Sequence, residues 1–163
     1  MKEDVTFSNY GKAFQETLSQ LIFEDRAFSE QMEEVLDINF FELKYLQEFV
    51  RLVFGYRHKY GVHPSEDIMS SILRTEIDEE SDLIKKQLRD YFARSIATKV
   101  KDVDYIKETA LDFCKKQKLK EAMIKSVALL QRSSFGEIKT IIDEALKLGT
   151  DNKFGHDYKK DFV

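Results

Sequence analysis

The chain has 163 residues, one cysteine and one proline, and carries a formal net charge of −4. A single thiol excludes an internal disulfide and a multi-thiol metal site, and one proline with six glycines leaves too few turn-formers for a many-stranded sandwich or barrel. With 42% hydrophobic residues, 34% charged residues, thirteen Phe and seven Tyr, the composition is that of a globular helical protein with an aromatic core.

The opening stretch, MKEDVTFSNY, has no apolar run of the secretory kind. No stretch reaches the ~20 apolar residues of a membrane helix. The expected setting is a reducing cytoplasm, with no membrane partner. Charge is uneven. Residues 1–100 hold 13 Lys/Arg against 19 Asp/Glu, residues 101–149 hold 10 against 8, and the remaining 14 residues hold 3 of each. An acidic first part of this kind does not wrap duplex DNA unaided, because phosphate binding needs clustered cations.

Tyr10, Phe14, Leu18, Leu21 and Ile22 fall on one face of a first helix, with Ser8 as its expected cap. Phe28, Met32, Val35 and Leu36 mark a short second helix, and the connector DINFFE offers Phe40 and Phe41 to the core. The clearest amphipathic stretch follows, with Leu43, Leu46, Phe49, Val50, Val53 and Phe54 at three- and four-residue steps. Gly61 and Pro64 should end it, and Ser65 should cap a helix carrying Ile68, Met69, Ile72 and Leu73. After the acidic run EIDEESD, residues Leu83, Ile84, Leu88, Tyr91 and Phe92 indicate one more helix.

TKVKD, residues 98–102, reads as the main break. From Asp102 one long pattern runs to about Arg132, starting on Val103, Ile106, Ala110 and Phe113 and ending on Ile124, Val127 and Leu130. A capping box, Ser134 with Glu137, then opens a last helix whose face is Ile138, Ile141, Ile142, Ala145 and Leu146, with Gly149 as its expected stop. The expected fold is therefore all-α: a globule of five to six helices over residues 1–100, a two-helix hairpin over 101–149, and a tail over 150–163. Two helices alone cannot cover both sides of their apolar faces. SVALLQ, residues 126–131, places apolar side chains nearly all round its helix, which calls for contacts on two sides, from the chain's own first part or from another chain.

Chemistry-bearing motifs are few. Neither a phosphate-binding loop nor G-x-G-x-x-G occurs, so no ATPase, catalytic or cofactor-binding residue is expected in this stretch. His58 and His63 lie five apart across Gly61, which suits no helical metal site, and no metal ligand is assigned. Cys114 reads as a buried apolar residue. EIDEESD reads as a solvated helix start, with docking to a basic partner as the sharper alternative. KKQKLK, Lys115 to Lys120, is either a solvated face or a contact for nucleic acid or an acidic partner.

Three stretches carry a resemblance. LSQLIFEDRAFSEQMEEVLDINFFE (residues 18–42), KYGVHPS before a short helix, and FGHDYKKDF (residues 154–162) make the chain resemble the N-terminal domain of DnaB-type replicative DNA helicases of T4-like phages. The resemblance implies a helical globule followed by a hairpin that pairs into dimers and, in a whole helicase, into a hexamer collar that docks primase and, in some systems, a helicase loader. It implies a cytoplasmic location in an infected bacterial host, and ATP with magnesium only on an ATPase domain absent from this chain. Ile124, Val127, Leu130, Ile138, Ile141 and Ile142 match the hairpin and are the expected self-association residues. Phe154, His156, Tyr158 and Phe162 match a linker segment expected to dock on a neighbouring subunit. Strong DNA binding is not expected of this chain alone. The competing expectation is a free-standing helical adaptor or regulator of the replication machinery.

Overall fold

The structure, a computed structural model, describes residues 5–132 and 135–161, with side chains described as far as residue 148. The described residues are helical and contain no strand, as the composition anticipates. The helices are α1 (Gly11–Glu24), α2 (Arg26–Val35), α3 (Lys44–Tyr60), α4 (Glu66–Thr75), α5 (Asp82–Ala97), α6 (Val103–Leu130) and α7 (Phe135–Asp161). Two compact units emerge, Met1–Glu108 and Thr109–Val163.

In the first unit, α1 packs on α2 and α3, α3 on α5, and α4 on α5. Helical periodicity turns Leu18 and Ile22 of α1, Met32 and Val35 of α2, Leu46, Phe49, Val50 and Val53 of α3, Met69 of α4 and Leu88 of α5 wholly out of solvent. Aromatic rings close both ends of this core. Phe7 meets Phe14, Phe40 and Phe41 at centroid distances of 5.9, 6.0 and 5.4 Å, so the Phe-Phe connector plugs the core. Phe23 meets Phe49 and Phe92 edge-on, each at 5.7 Å. Offset and edge contacts of this kind add to area burial.

Side-chain oxygens begin three of these helices. Asp25 accepts from the Phe28 N–H at 3.0 Å, Ser65 from that of Ile68 at 3.2 Å, and Ser81 from that of Ile84 at 3.2 Å. Gly61 ends α3 in the left-handed region, φ 74°, and donates its N–H to the Arg57 carbonyl at 2.8 Å. Ser8 does not cap α1. It lies in a 3-10 turn, Phe7–Tyr10, whose cap is Thr6, donated to by the Ser8 N–H. The turn inserts Phe7 into the core before α1 begins at Gly11.

Most buried polar side chains have partners, the Ser19 hydroxyl being an exception. Gln20 donates to Glu24 Oε2 at 2.7 Å and to the carbonyls of Ser95 and Thr98 at 3.0 Å each, holding the end of α5 against α1. Arg57, buried at 8% exposure, donates to Ser29 Oγ at 2.7 Å and to His63 Nδ1 at 3.2 Å, and pairs with Glu33. His63 donates in turn through Nε2 to the Phe23 carbonyl at 2.6 Å. Burial, helped by the Arg57 guanidinium, holds the His63 imidazole below its ordinary pKa, so the neutral ring suits its two roles as acceptor and donor.

The boundary between the units falls inside α6. Ile106 is buried in the first unit, and Lys107 pairs with Asp25 at 2.5 Å while its ammonium lies 5.4 Å from the Phe28 ring centroid. The first turn of α6 thus belongs to the first unit, and the division lies six residues beyond the end of the break read at 98–102. Gly149 does not end α7, which runs on to Asp161. A single helical glycine costs only about 1 kcal/mol, and no proline follows to enforce a stop. The serine expected to cap the last helix, Ser134, lies outside the described residues, as does Phe162.

Candidate self-association face

The second unit contains most of α6 and all of α7. Two stripes run along α6. One is buried and consists mainly of small side chains: Ala110, Cys114, Ala122 and Ser126, with Leu129 at its end. Steps of four, eight, four and three residues keep these positions on one side of the helix. Ser126 donates its hydroxyl to the Ala122 carbonyl at 2.7 Å, one turn back, so its burial leaves no hydroxyl proton unpaired.

The large aliphatic residues lie on the other side. Met123, Ile124, Val127 and Leu130 are 56%, 62%, 59% and 54% exposed. At 100° per residue they fill an arc of about 120°, centred well away from the line of Ala122, Ser126 and Leu129. Few residues of a monomeric surface helix gain by such a placement. Isolated exposed apolar residues are ordinary, but four contiguous ones on two successive turns form a patch.

α7 continues the pattern. Ile138, Ile141 and Ile142 are half-buried on one face, with Ala145 beside them. Phe135 and Leu146, on the flank of that face, are largely exposed. Lys139 and Asp143 pair at 2.9 Å on the polar side, an i,i+4 contact between solvated groups.

The six residues expected to mediate self-association therefore separate into two sets. Ile124, Val127 and Leu130 stand in solvent, while Ile138, Ile141 and Ile142 are half-covered. Sequence reading missed Met123, Phe135 and Leu146 as members of the exposed set. The signal was present, since Met123 lies one turn before Val127 and two turns before Leu130 on the same side. The linker residues Phe154, His156 and Tyr158 lie outside the described side chains.

Other sites fare differently. His58 and His63 both enter the polar cluster of the first unit, His58 through Glu33 and His63 through Arg57. His156 lies outside the described side chains. Among the described residues no three His, Cys, Asp or Glu side chains gather as a metal site. No described helix is long and apolar enough to cross a membrane. EIDEESD is not wholly solvated, because Ile77 within it is buried and Ser81 caps α5.

No family model matches the chain, no curated protein matches it, and no solved structure matches it.

Proposed function

We propose that this chain is a non-catalytic assembly and docking module, and that its second unit self-associates through the exposed aliphatic arc of α6 and the adjoining flank of α7. The observation that carries this reading is the arrangement of α6: small side chains buried, large aliphatic ones in water. The hydrophobic effect penalises that arrangement at about 25 cal/mol per Å² of apolar surface until something covers it. A second copy is the occupant of choice because the arc is nearly free of charge. Between Met123 and Leu130 only Lys125 is ionised, and two copies can meet there without stranding like charges.

The biological setting comes from the sequence resemblance. A paired helical module of this kind would serve as the collar of a phage replicative DNA helicase, supporting ring assembly and offering a platform for primase or a loader. Light scattering on the chain at rising concentration tests the assembly half: a mass climbing from 19.2 kDa toward its double supports the reading, and 19.2 kDa throughout refutes it.

A further inference from the structure

A second surface lies entirely in the first unit. An open cleft of about 630 Å³ separates the start of α1 from residues 98–106. Its volume is that of ordinary ligand clefts and holds a few side chains. Its apolar lining comes from Ala13, Phe14, Val100 and Ile106, beside the polar Asn9, Thr17, Gln20 and Thr98. Tyr10, stacked on Phe14 at 4.7 Å, and Tyr105, 61% exposed, both line it.

The rim is basic. Lys99 and Lys101 alternate with Val100 on an extended segment, and both are exposed. Neither ammonium has an ion-pair partner among the described residues. Asp102 is the one carboxylate on the lining, and its backbone lies in the left-handed region at φ 57°. Apolar side chains and two tyrosines, with two lysines that have no ion-pair partner among the described residues, select a ligand with an apolar anchor and a negative flank.

We infer that this cleft docks a short acidic segment of a partner protein, with an aromatic or aliphatic side chain seated between Tyr10 and Tyr105 and neighbouring carboxylates on Lys99 and Lys101. Nucleic acid fits less well. Residues 1–100 carry six more acidic than basic groups, so phosphates beyond the two lysines would meet a negative surface. An acidic segment needs only one or two carboxylates here, because the buried anchor supplies most of the affinity and the charges set register. This inference gives chemistry to the docking half of the proposed function. It concerns the first unit alone, so it can fail while self-association of the second unit stands, and the reverse.

The test uses the whole chain and a displayed library of random short peptides, selected in parallel against the wild type and against Lys99→Glu/Lys101→Glu. Both lysines are exposed, so the variant should keep the wild-type helical circular dichroism. The expected result is enrichment of peptides joining Asp or Glu to an aromatic or aliphatic residue, binding the variant at least about tenfold more weakly. Tyr105→Ala should weaken the same peptides. Enriched peptides without acidic residues, equal binding to the variant, or no enrichment would overturn the inference. Labelled oligo-dT is measured alongside, and tighter binding of it than of any peptide would assign the cleft to nucleic acid instead.

Discussion

Val127→Asp puts a charge in the middle of the exposed arc. Full burial of a valine side chain is worth about 1.5–3 kcal/mol, and Val127 is 59% exposed in the single chain. Covering the remainder in a dimer is therefore worth about 1–2 kcal/mol per copy, and twice that across a symmetric pair. The substitution removes this gain and adds the cost of stranding two carboxylates in an apolar contact, at least about 1 kcal/mol each. Together these effects weaken the dimer by at least about 3 kcal/mol, more than a hundredfold in dissociation constant. The folded single chain should hardly notice, because solvent-facing substitutions fall within about 0.5 kcal/mol and Val and Asp have similar helix propensities. Sedimentation equilibrium gives the association constant and circular dichroism the helicity. The control is Leu129→Asp, two residues on, where the side chain is only 6% exposed and the damage should be to folding. Equal dimer constants for wild type and Val127→Asp would refute the reasoning, as would loss of helicity in Val127→Asp matching that in Leu129→Asp.

Arg57→Met should cost about 3 kcal/mol in thermal denaturation, because Ser29, Glu33 and His63 lose a buried cationic partner together. Arg57→Lys should recover only part of it, since an ammonium cannot span those acceptors as a guanidinium does. His63 takes up a proton more readily in the unfolded chain than in the folded one, so its contribution is intact above pH 6.5 and declines as pH falls below that value. The wild-type melting temperature should fall between neutral pH and pH 5, and His63→Gln should flatten that slope. At Asp25, burial pushes the carboxyl up, but the Lys107 ammonium and the Phe28 N–H outweigh it and leave the pKa below 3.8, so this contribution vanishes only in stronger acid. Asp25→Ala should cost about 1 kcal/mol as a lost helix cap, while Asp25→Asn keeps the cap. A double-mutant cycle of Asp25→Asn with Lys107→Met should give a coupling of about 0.5–1 kcal/mol, as for a half-exposed ion pair.

Much of the first unit was legible in the sequence because its helices obey a simple rule, one apolar stripe of large residues per helix. Leu18 and Ile22, Met32 and Val35, or Leu46 with Phe49, Val50 and Val53 are all buried where periodicity put them. Ser65 and Gly61 act as the caps the sequence reading assigned to them. The start of α1 was misread because Thr6 and Ser8 are equally good caps by composition, and only the insertion of Phe7 between Phe14 and Phe41 decides between them. The second unit was legible in its helices but not in which side faces in. Large aliphatic residues are normally assigned to the interior, whereas α6 buries Ala110, Cys114, Ala122 and Ser126 and presents Ile124, Val127 and Leu130 to water. The run SVALLQ showed that two sides of the helix were apolar; which of them the chain covers itself depended on packing that no local pattern encodes. The cleft was invisible for a similar reason, since Tyr10 and Tyr105 lie 95 positions apart in the sequence and come to line one cleft only in the folded chain.

Met123 offers a direct reading of the exposed arc. It is 56% exposed in the single chain, whereas Met32 and Met69 are wholly buried in the core of the first unit. Peroxide converts exposed thioethers to sulfoxides, so the oxidation rate of Met123, followed by peptide mass, reports whether anything covers the face. A rate that falls as the chain is concentrated, and stays high in Val127→Asp, is the result this account predicts. A rate independent of concentration in the wild-type chain would contradict it.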